Sequence, residues 1–510
     1  MSDIVLTTLN ARYSHSSLGL RYLLANMKEL QPSTCLDEYV IETRPMDIVE
    51  SLLRHEPKIV GFGVYIWNIE PTTKVVALLK SLRPNIAVVL GGPEVSYEYD
   101  ATEIYEYADY VISGAADLTF GELCQQILND TPPADKVIKA PMPSLSSLRF
   151  PYEFYSDADI AHRVLYVEAS RGCPFKCEFC LSALDKTAWP FAIDAFLEQM
   201  QALYDRGARR FKFVDRTFNL KADSSAKILE FFLRRLDENL FLHFELIPDH
   251  LPEKLKTLIQ QFPPGALQFE IGIQTFNPQV QTLISRRQDN DKSRQNLLWL
   301  RNDSHAHLHT DLIAGLPGED LAGFAHSFDE LVKLNPHEIQ VGILKRLRGS
   351  PIIRHTDTYG MVYNPHPPYN ILKTSLIDFT QMQRITRFAR YWDMIANSGR
   401  FTHTVPHILG EQPFQRFMRL SDWLYQTGKQ THQIALNRLF DLLYEGLTTD
   451  LAIDPVVAAD VLWRDHQNSG LKSIPHFAPH APSSAKQAAT SPSGTTPQRQ
   501  ARHLRAQLKP

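Results

Sequence analysis

Cysteine is scarce in this chain, five in 510 residues, too few for a disulfide framework at such a length. No apolar run approaches the ~18 residues that a bilayer span needs. The N-terminus shows no basic region followed by an apolar signal core, so a cytoplasmic protein without a membrane partner is expected. An excess of charge of one sign is also missing. The 53 Lys+Arg against 57 Asp+Glu leave a formal charge of -4, which disfavours a general nucleic-acid partner. What is present, 22% charged and 44% hydrophobic residues, is the composition of a globular chain. The length predicts about three domains, and no internal repeat is visible.

The first segment alternates short apolar strands with amphipathic helices: strand 4–8, helix 18–30, strand 59–64, helix 72–82 and strand 86–90. That order predicts a parallel, doubly wound sheet over residues 1–140. A stretch rich in proline and serine, 141–160, reads as a linker. Strand and helix patterns then alternate again over 161–350, with strands expected at 164–169, 210–214, 242–246, 267–273, 308–314 and 338–344. These predict an incomplete α/β barrel, a fold whose chemistry collects at the C-terminal ends of its strands. Residues 351–473 are mainly helical in pattern. From Ile474 to Pro510 the chain is rich in Pro, Ser, Ala, Thr and Gln, with basic residues and no acid, and a disordered tail is expected.

Three of the five cysteines, Cys173, Cys177 and Cys180, follow the first barrel strand at spacings of four and three. Three thiolates on one tight loop can hold three irons of a four-iron four-sulfur cluster and leave the fourth iron open. A structural zinc site is the alternative, but it needs a fourth ligand. His162 and Cys124 are the candidates, neither at a convincing spacing. Buried free thiols are a second alternative, opposed by the Pro, Lys, Glu and Arg around them.

With Phe179 as the aromatic of Cys-x-x-x-Cys-x-aromatic-Cys, the segment resembles the radical S-adenosylmethionine superfamily. The resemblance implies that the open iron binds S-adenosylmethionine, and that one electron from the cluster cleaves it to a 5′-deoxyadenosyl radical. The chemistry then belongs to the cofactor, while the protein positions and shields it. A one-electron reductant such as flavodoxin or ferredoxin is an implied partner.

Further segments fit at the strand ends. Asp215 ends the second strand, where the family places an acidic element near the methionine amino group, although the accompanying glycines are absent. Glu245, Gln274, Arg286 and Asp311, with the string Asp-Leu-Ile-Ala-Gly315-Leu-Pro-Gly318-Glu319, resemble the coproporphyrinogen-oxidase-like branch. There the matching Glu, Gln, Arg and Asp hold S-adenosylmethionine. The residue types suit the task, since carboxylates take ribose hydroxyls or an ammonium and Arg takes a carboxylate bidentately. Gly315 lets backbone approach the ligand. For each polar residue taken singly, a strand-end ion pair is the alternative. His305, His307 and His309 alternate near one strand and read as solvated or hydrogen-bonded histidines rather than a metal site.

Glycines also punctuate the strand ends of the first domain, at Gly61, Gly63, Gly91, Gly92 and Gly114, where a large cofactor can lie on backbone near helix N-termini. Their order is similar to the cobalamin-binding domains found ahead of radical S-adenosylmethionine barrels, which implies cobalamin contacts at Gly63, Gly91, Gly92 and Gly114. The Asp-x-His-x-x-Gly signature for a lower axial histidine is absent, and His15 reads as a hydrogen-bonded loop residue. The fold class expected is therefore α/β: a Rossmann-like cobalamin-binding domain, a partial (β/α)6 radical barrel and a helical C-terminal region that resembles a family domain of unassigned role. Methyl transfer to an unactivated carbon of a small-molecule substrate is the leading activity. Two alternatives stay open: a radical enzyme without cobalamin that acts on tRNA or a tetrapyrrole, and a non-catalytic cobalamin or iron-sulfur sensor.

Overall fold

In the computed structural model, residues 2–185, 187–478 and 498–507 are described. The chain divides into two compact units. One comprises Met1–Arg216 with Lys345–Ile353 and Asn364–Asn370; the other comprises Thr217–Leu344, Arg354–Tyr363 and Ile371–Pro510. These units do not follow the expected domain limits, because the first two barrel strands fall in the first unit.

The first unit opens with β1 (Ile4–Asn10), α1 (Leu18–Ala25), β2 (Thr34–Val40), α2 (Pro45–Leu53), β3 (Ile59–Gly63), α3 (Ile69–Leu82), β4 (Ala87–Gly91), α4 (Glu103–Tyr107), β5 (Tyr110–Gly114), α5 (Thr119–Leu128) and β6 (Val137–Ala140). The strands form one parallel sheet in the order β2-β1-β3-β4-β5-β6. β1 is buried at every position because both faces are covered. Val5 and Leu9 pack with the side chains of α2 and α3, whereas Ile4 and Leu6 pack with those of α1 and α5. A run buried on both faces reads as continuously apolar, as expected for parallel sheets. The order reverses between β1 and β3, and ligands bind at such a switch point beyond the carboxyl ends of the strands.

The expected linker is structured. Ser156 caps helix Asp157–His162 with a reciprocal capping box, and Tyr152 and Tyr155 are fully buried. Next come β7 (Leu165–Val167), the short antiparallel pair β8 (Ser170–Arg171) and β9 (Trp189–Pro190), and β10 (Arg210–Phe213), which lies parallel to β7.

The second unit continues the strand-helix alternation with β11 (Phe241–Leu246), β12 (Leu267–Gln274), β13 (His307–Ala314) and β14 (Glu338–Ile343), all parallel. β12 alternates buried and half-buried positions, with Leu267, Phe269, Ile271 and Ile273 in the core. Gln268, Glu270 and Gln274 belong to its other face. Beside β14, Asn397 mimics a strand: its Oδ1 accepts from Ile339 N and its Nδ2 donates to Ile339 O, both at 2.9 Å. The helical region follows, with helices Phe379–Ile395, Pro413–Gly428, Leu436–Glu445 and Pro455–Asn468.

The expectation of a disordered tail needs correction for 498–507. Gln498–Gln507 forms a helix, in which Arg499 pairs with Glu338 at 2.9 Å and Asp393 at 2.6 Å. His503 lies 2.9 Å from Asn397 O. The tail lacks apolar surface but finds buried polar partners, which composition alone does not reveal. The rest of the expected tail, 479–497 and 508–510, lies outside the described residues. Among the described residues, no helix is long and apolar enough to cross a membrane.

Candidate functional site

In the first unit, the cysteine loop is held at its base by β8 and β9, with Ser170 opposite Pro190 and Arg171 opposite Trp189. Gly172 has φ +86°, and a Cβ there would sit 2.1 Å from Thr187 O, so only glycine serves. The loop closes through Cys173 N to Asp185 O at 3.4 Å and Cys180 N to Cys177 O at 3.0 Å. All three cysteines are half-buried thiols outside any disulfide. Phe179 is half-buried and Glu178 buried. Burial pushes the Cys173 thiol up. Cys124 is fully buried on α5 in the apolar core, and His162 is exposed; neither completes a closed four-ligand zinc site. Three thiols on one loop, with no fourth supplied by these two, fit a four-iron cluster with one open iron.

Asp215, after β10, is buried and already engaged. Its Oδ2 accepts from Ala169 N at 3.0 Å and its Oδ1 from Ser170 Oγ at 2.6 Å. Burial raises its pKa to about 7. The carboxylate thus ties β10 to the segment that leads into the cysteines.

A cavity of about 890 Å³ opens from the ends of β1, β3, β4 and β5 to this segment. Its wall includes Gly63, Gly91, Gly92 and Gly114 on the sheet side and Glu168, Arg171 and Gly172 on the loop side. Gly92 has φ +108°, and a Cβ would lie 2.5 Å from Val64 O; at Gly114, φ +102°, it would lie 2.5 Å from Ala140 O. The cradle is therefore bare backbone, which suits a broad, flat ligand laid across the strand ends. Beside the switch point the fully buried Asn68 donates to Leu9 O at 3.0 Å and Gly63 O at 3.1 Å and accepts from Tyr65 N at 2.7 Å. Tyr65 and Trp67 stack at 4.5 Å within 6° of parallel on the cavity wall. His15 also lines the cavity, with Nδ1 2.5 Å from the Tyr166 hydroxyl. Burial, reinforced by Lys212 and Arg12, lowers its pKa, so the ring is a neutral hydrogen-bonding partner.

In the second unit, cross-strand register places Glu245 opposite Glu270, Glu270 opposite His309, and Gly272 opposite Asp311. His243 Nε2 lies 3.1 Å from Glu270 Oε2, and His309 Nε2 lies 3.5 Å from Asp311 Oδ1. The register is irregular between Gly272 and Gln274, and Gln274 has φ +69°. A non-glycine residue in that region is costly and marks a constrained place. Arg286 donates to Gly272 O, and its Nε lies 2.9 Å from Gln288 Oε1. Gln274, Arg286 and Asp311 thus gather around Gly272, with the Oε1 of Gln274 buried and unpartnered among the described residues. Glu245 stands in a neighbouring row rather than in this group. Gly315, φ +87°, ends β13 against Ile371 and Met382. His307 is buried on Glu338 at 3.0 Å, whereas His305 is exposed.

Two groups of partners escape sequence reasoning. Arg171 joins Glu168 at 2.7 Å to Asp117 at 3.0 Å and covers the Tyr22 ring at 4.4 Å. Lys345–Ile353 runs as a strap over the first unit. Arg348 pairs with Glu94 at 3.0 Å and Arg346 with Glu98 at 2.6 Å, Tyr369 OH donates to Glu94 at 2.6 Å, and Ile352 N donates to Glu178 O at 2.9 Å. The strap therefore touches both the loop after β4 and the cysteine loop. Partners some 254 positions apart leave no local pattern to read.

Comparison with known proteins gives three family matches: "Radical SAM superfamily" over 167–331, "B12 binding domain" over 4–124, and "Protein of unknown function (DUF4080)" over 357–504. An uncharacterized methyltransferase of Pyrococcus horikoshii is 27% identical over 297 residues, 53% of this chain and 63% of that protein. The cobalamin-dependent radical SAM methyltransferase TokK of Streptomyces tokunonensis is 30% identical over 149 residues, 24% of this chain and 22% of that protein. The chain thus spans less than two thirds of the length of either relative. Among solved structures, the cobalamin-dependent S-adenosylmethionine radical enzyme OxsB superposes with a TM-score of 0.63 at 13% identity, over 91% of this chain and 80% of that one. The methyltransferase TsrM of Kitasatospora setae gives 0.55 at 14%, over 75% and 81%. The fold is shared with both. The first two family matches imply a four-iron four-sulfur cluster, S-adenosylmethionine and cobalamin as the cofactors. Residues 167–331, with the cysteine triad on the loop that follows the first barrel strand, thus match the radical S-adenosylmethionine superfamily, and residues 4–124, with the glycine cradle, match a B12-binding domain ahead of the barrel.

Proposed function

We propose that the protein is a cobalamin-dependent radical S-adenosylmethionine methyltransferase that places a methyl group on an unactivated carbon of a small molecule. The observation that carries this reading is the cavity itself, which one compact unit builds from a glycine cradle on one side and, on the other, Glu168, Arg171, Gly172 and Ser182, the residues that flank the cysteine loop. Cys173, Cys177 and Cys180 hold the cluster, and Phe179 flanks it. Asp215 fixes the Ala169–Ser170 segment that carries the loop and so acts by position. Gln274, Arg286 and Asp311 hold S-adenosylmethionine, Arg286 through its carboxylate, with Glu245 on the neighbouring row and Gly315 admitting the ligand to backbone. Gly63, Gly91, Gly92 and Gly114 seat the corrin. When bound, these groups supply one-electron cleavage of a sulfonium and a carrier for the methyl group. The chain excludes water, orients the partners and keeps His15 neutral against Tyr166.

The test is reconstitution under oxygen exclusion, with iron, cobalamin and S-adenosylmethionine turnover measured together. About four irons, a stoichiometric cobalamin and reductant-dependent 5′-deoxyadenosine are expected. In Cys177→Ala, iron and turnover are lost while cobalamin is retained. Turnover without cobalamin binding would favour the cobalamin-free enzyme, and cofactors without turnover a sensor.

A further inference from the structure

Cys35, Asp37 and His55 form a cluster that the reading above does not use. Cys35 and Asp37 sit two residues apart on β2, an edge strand, and His55 follows the end of α2. One donor atom from each lies within 4.8 Å of the others, and all three are half-buried. His55 Nδ1 faces Cys35 Sγ at 3.7 Å, and His55 Nε2 faces Asp37 Oδ2 at 2.8 Å. The imidazole therefore bridges a thiol and a carboxylate.

We infer that this cluster is a zinc site in which Cys35 Sγ and His55 Nδ1 bind the ion directly and Asp37 orients the imidazole through Nε2. With Zn–S about 2.3 Å and Zn–N about 2.0–2.1 Å, a tetrahedral ion separates two such donors by ~3.6 Å, close to the 3.7 Å found here. A carboxylate behind the second ring nitrogen is the usual support of a zinc-bound histidine. Thiolate with imidazole selects a borderline-soft ion over magnesium or calcium. With two protein ligands this is an open, exchangeable site rather than a closed structural one, and half-burial leaves the two remaining corners to water. The Cys35 thiol gives its proton to solvent as the S–Zn bond forms, so each zinc bound releases one proton. The site pins the edge strand to the end of α2. Cys35 pairs with Val5, whereas the cavity begins at Asn10, about 17 Å further along β1 at the rise of a strand.

The experiment uses the full chain with cluster and cobalamin loaded, so that the iron-binding thiols are occupied. Zinc and iron are measured in the same samples after equilibration with zinc sulfate and a weak chelator. Wild type is expected to retain about one zinc per chain, with unchanged iron and a raised unfolding temperature. Cys35→Ser and His55→Ala each lose that zinc and keep their iron, whereas Asp37→Asn weakens zinc affinity by roughly tenfold to a hundredfold. Zinc content equal in wild type and Cys35→Ser, with iron intact in both, would overturn the proposal. So would iron-replete wild type that retains less than about a tenth of an equivalent. Both readouts are independent of methyl transfer, so this site and the proposed activity fail separately.

Discussion

Glu319 shows how a single residue of a binding motif can serve the fold. It stands in the Gly-Leu-Pro-Gly-Glu string, fully buried, and Thr275 Oγ1 donates to it at 2.5 Å. Burial raises its pKa to about 8. Because the folded value lies above the unfolded one, the contribution of Glu319 to stability is full below about pH 4 and is lost as pH rises through about 8. Glu319→Gln removes this dependence. Across pH 5–9 in thermal melts, wild type is expected to lose several degrees relative to the variant, progressively from pH 5 to about pH 8 and with no further loss above that. That Cys173, Cys177 and Cys180 share one loop was legible from their spacings of four and three. The partners of Asp215 were not, since a carboxylate that ties two strand ends looks in sequence like one that faces a ligand.

Among elements, the strand-helix alternation was legible wherever apolar runs are bounded by turns, and β1, β3 and the strands from β10 to β14 fall within a few residues of their expected places. β2 was missed because Asp37 and Glu38 interrupt its apolar alternation at the sheet edge. Helix Gln498–Gln507 was missed for the opposite reason, having polar partners in place of an apolar stripe. The strap, Lys345–Ile353, has no regular pattern at all. Its Arg348 and Glu94 are almost wholly buried as a pair, so removal of either leaves an uncompensated charge, at a cost of about 3 kcal/mol or more. Arg348→Met is expected to free the loop after Gly92 and weaken cobalamin binding roughly tenfold with iron content unchanged. Cobalamin titration checks this. Glu94→Gln combined with Arg348→Met should cost less than the sum of the two single changes.

At the scale of the whole molecule, the two compact units divide the chain differently from the expected domain limits, because compactness does not follow chain order. The first unit is completed only by residues 345–353 and 364–370, which follow most of the barrel in sequence. A fragment that ends at Arg216 keeps the glycine cradle and all three cluster cysteines but lacks every partner of Glu94 and Glu98 on the strap. We expect that fragment to bind cobalamin at least tenfold more weakly than the full chain by the same titration. A nascent polypeptide faces the same deficit on the ribosome: until residue 370 has emerged, the N-terminal portion is an unfinished vessel. Cofactor loading is thereby expected only late in synthesis, and a premature stop in the barrel is expected to yield a protein that has Cys173, Cys177 and Cys180 without the strap that contacts their loop.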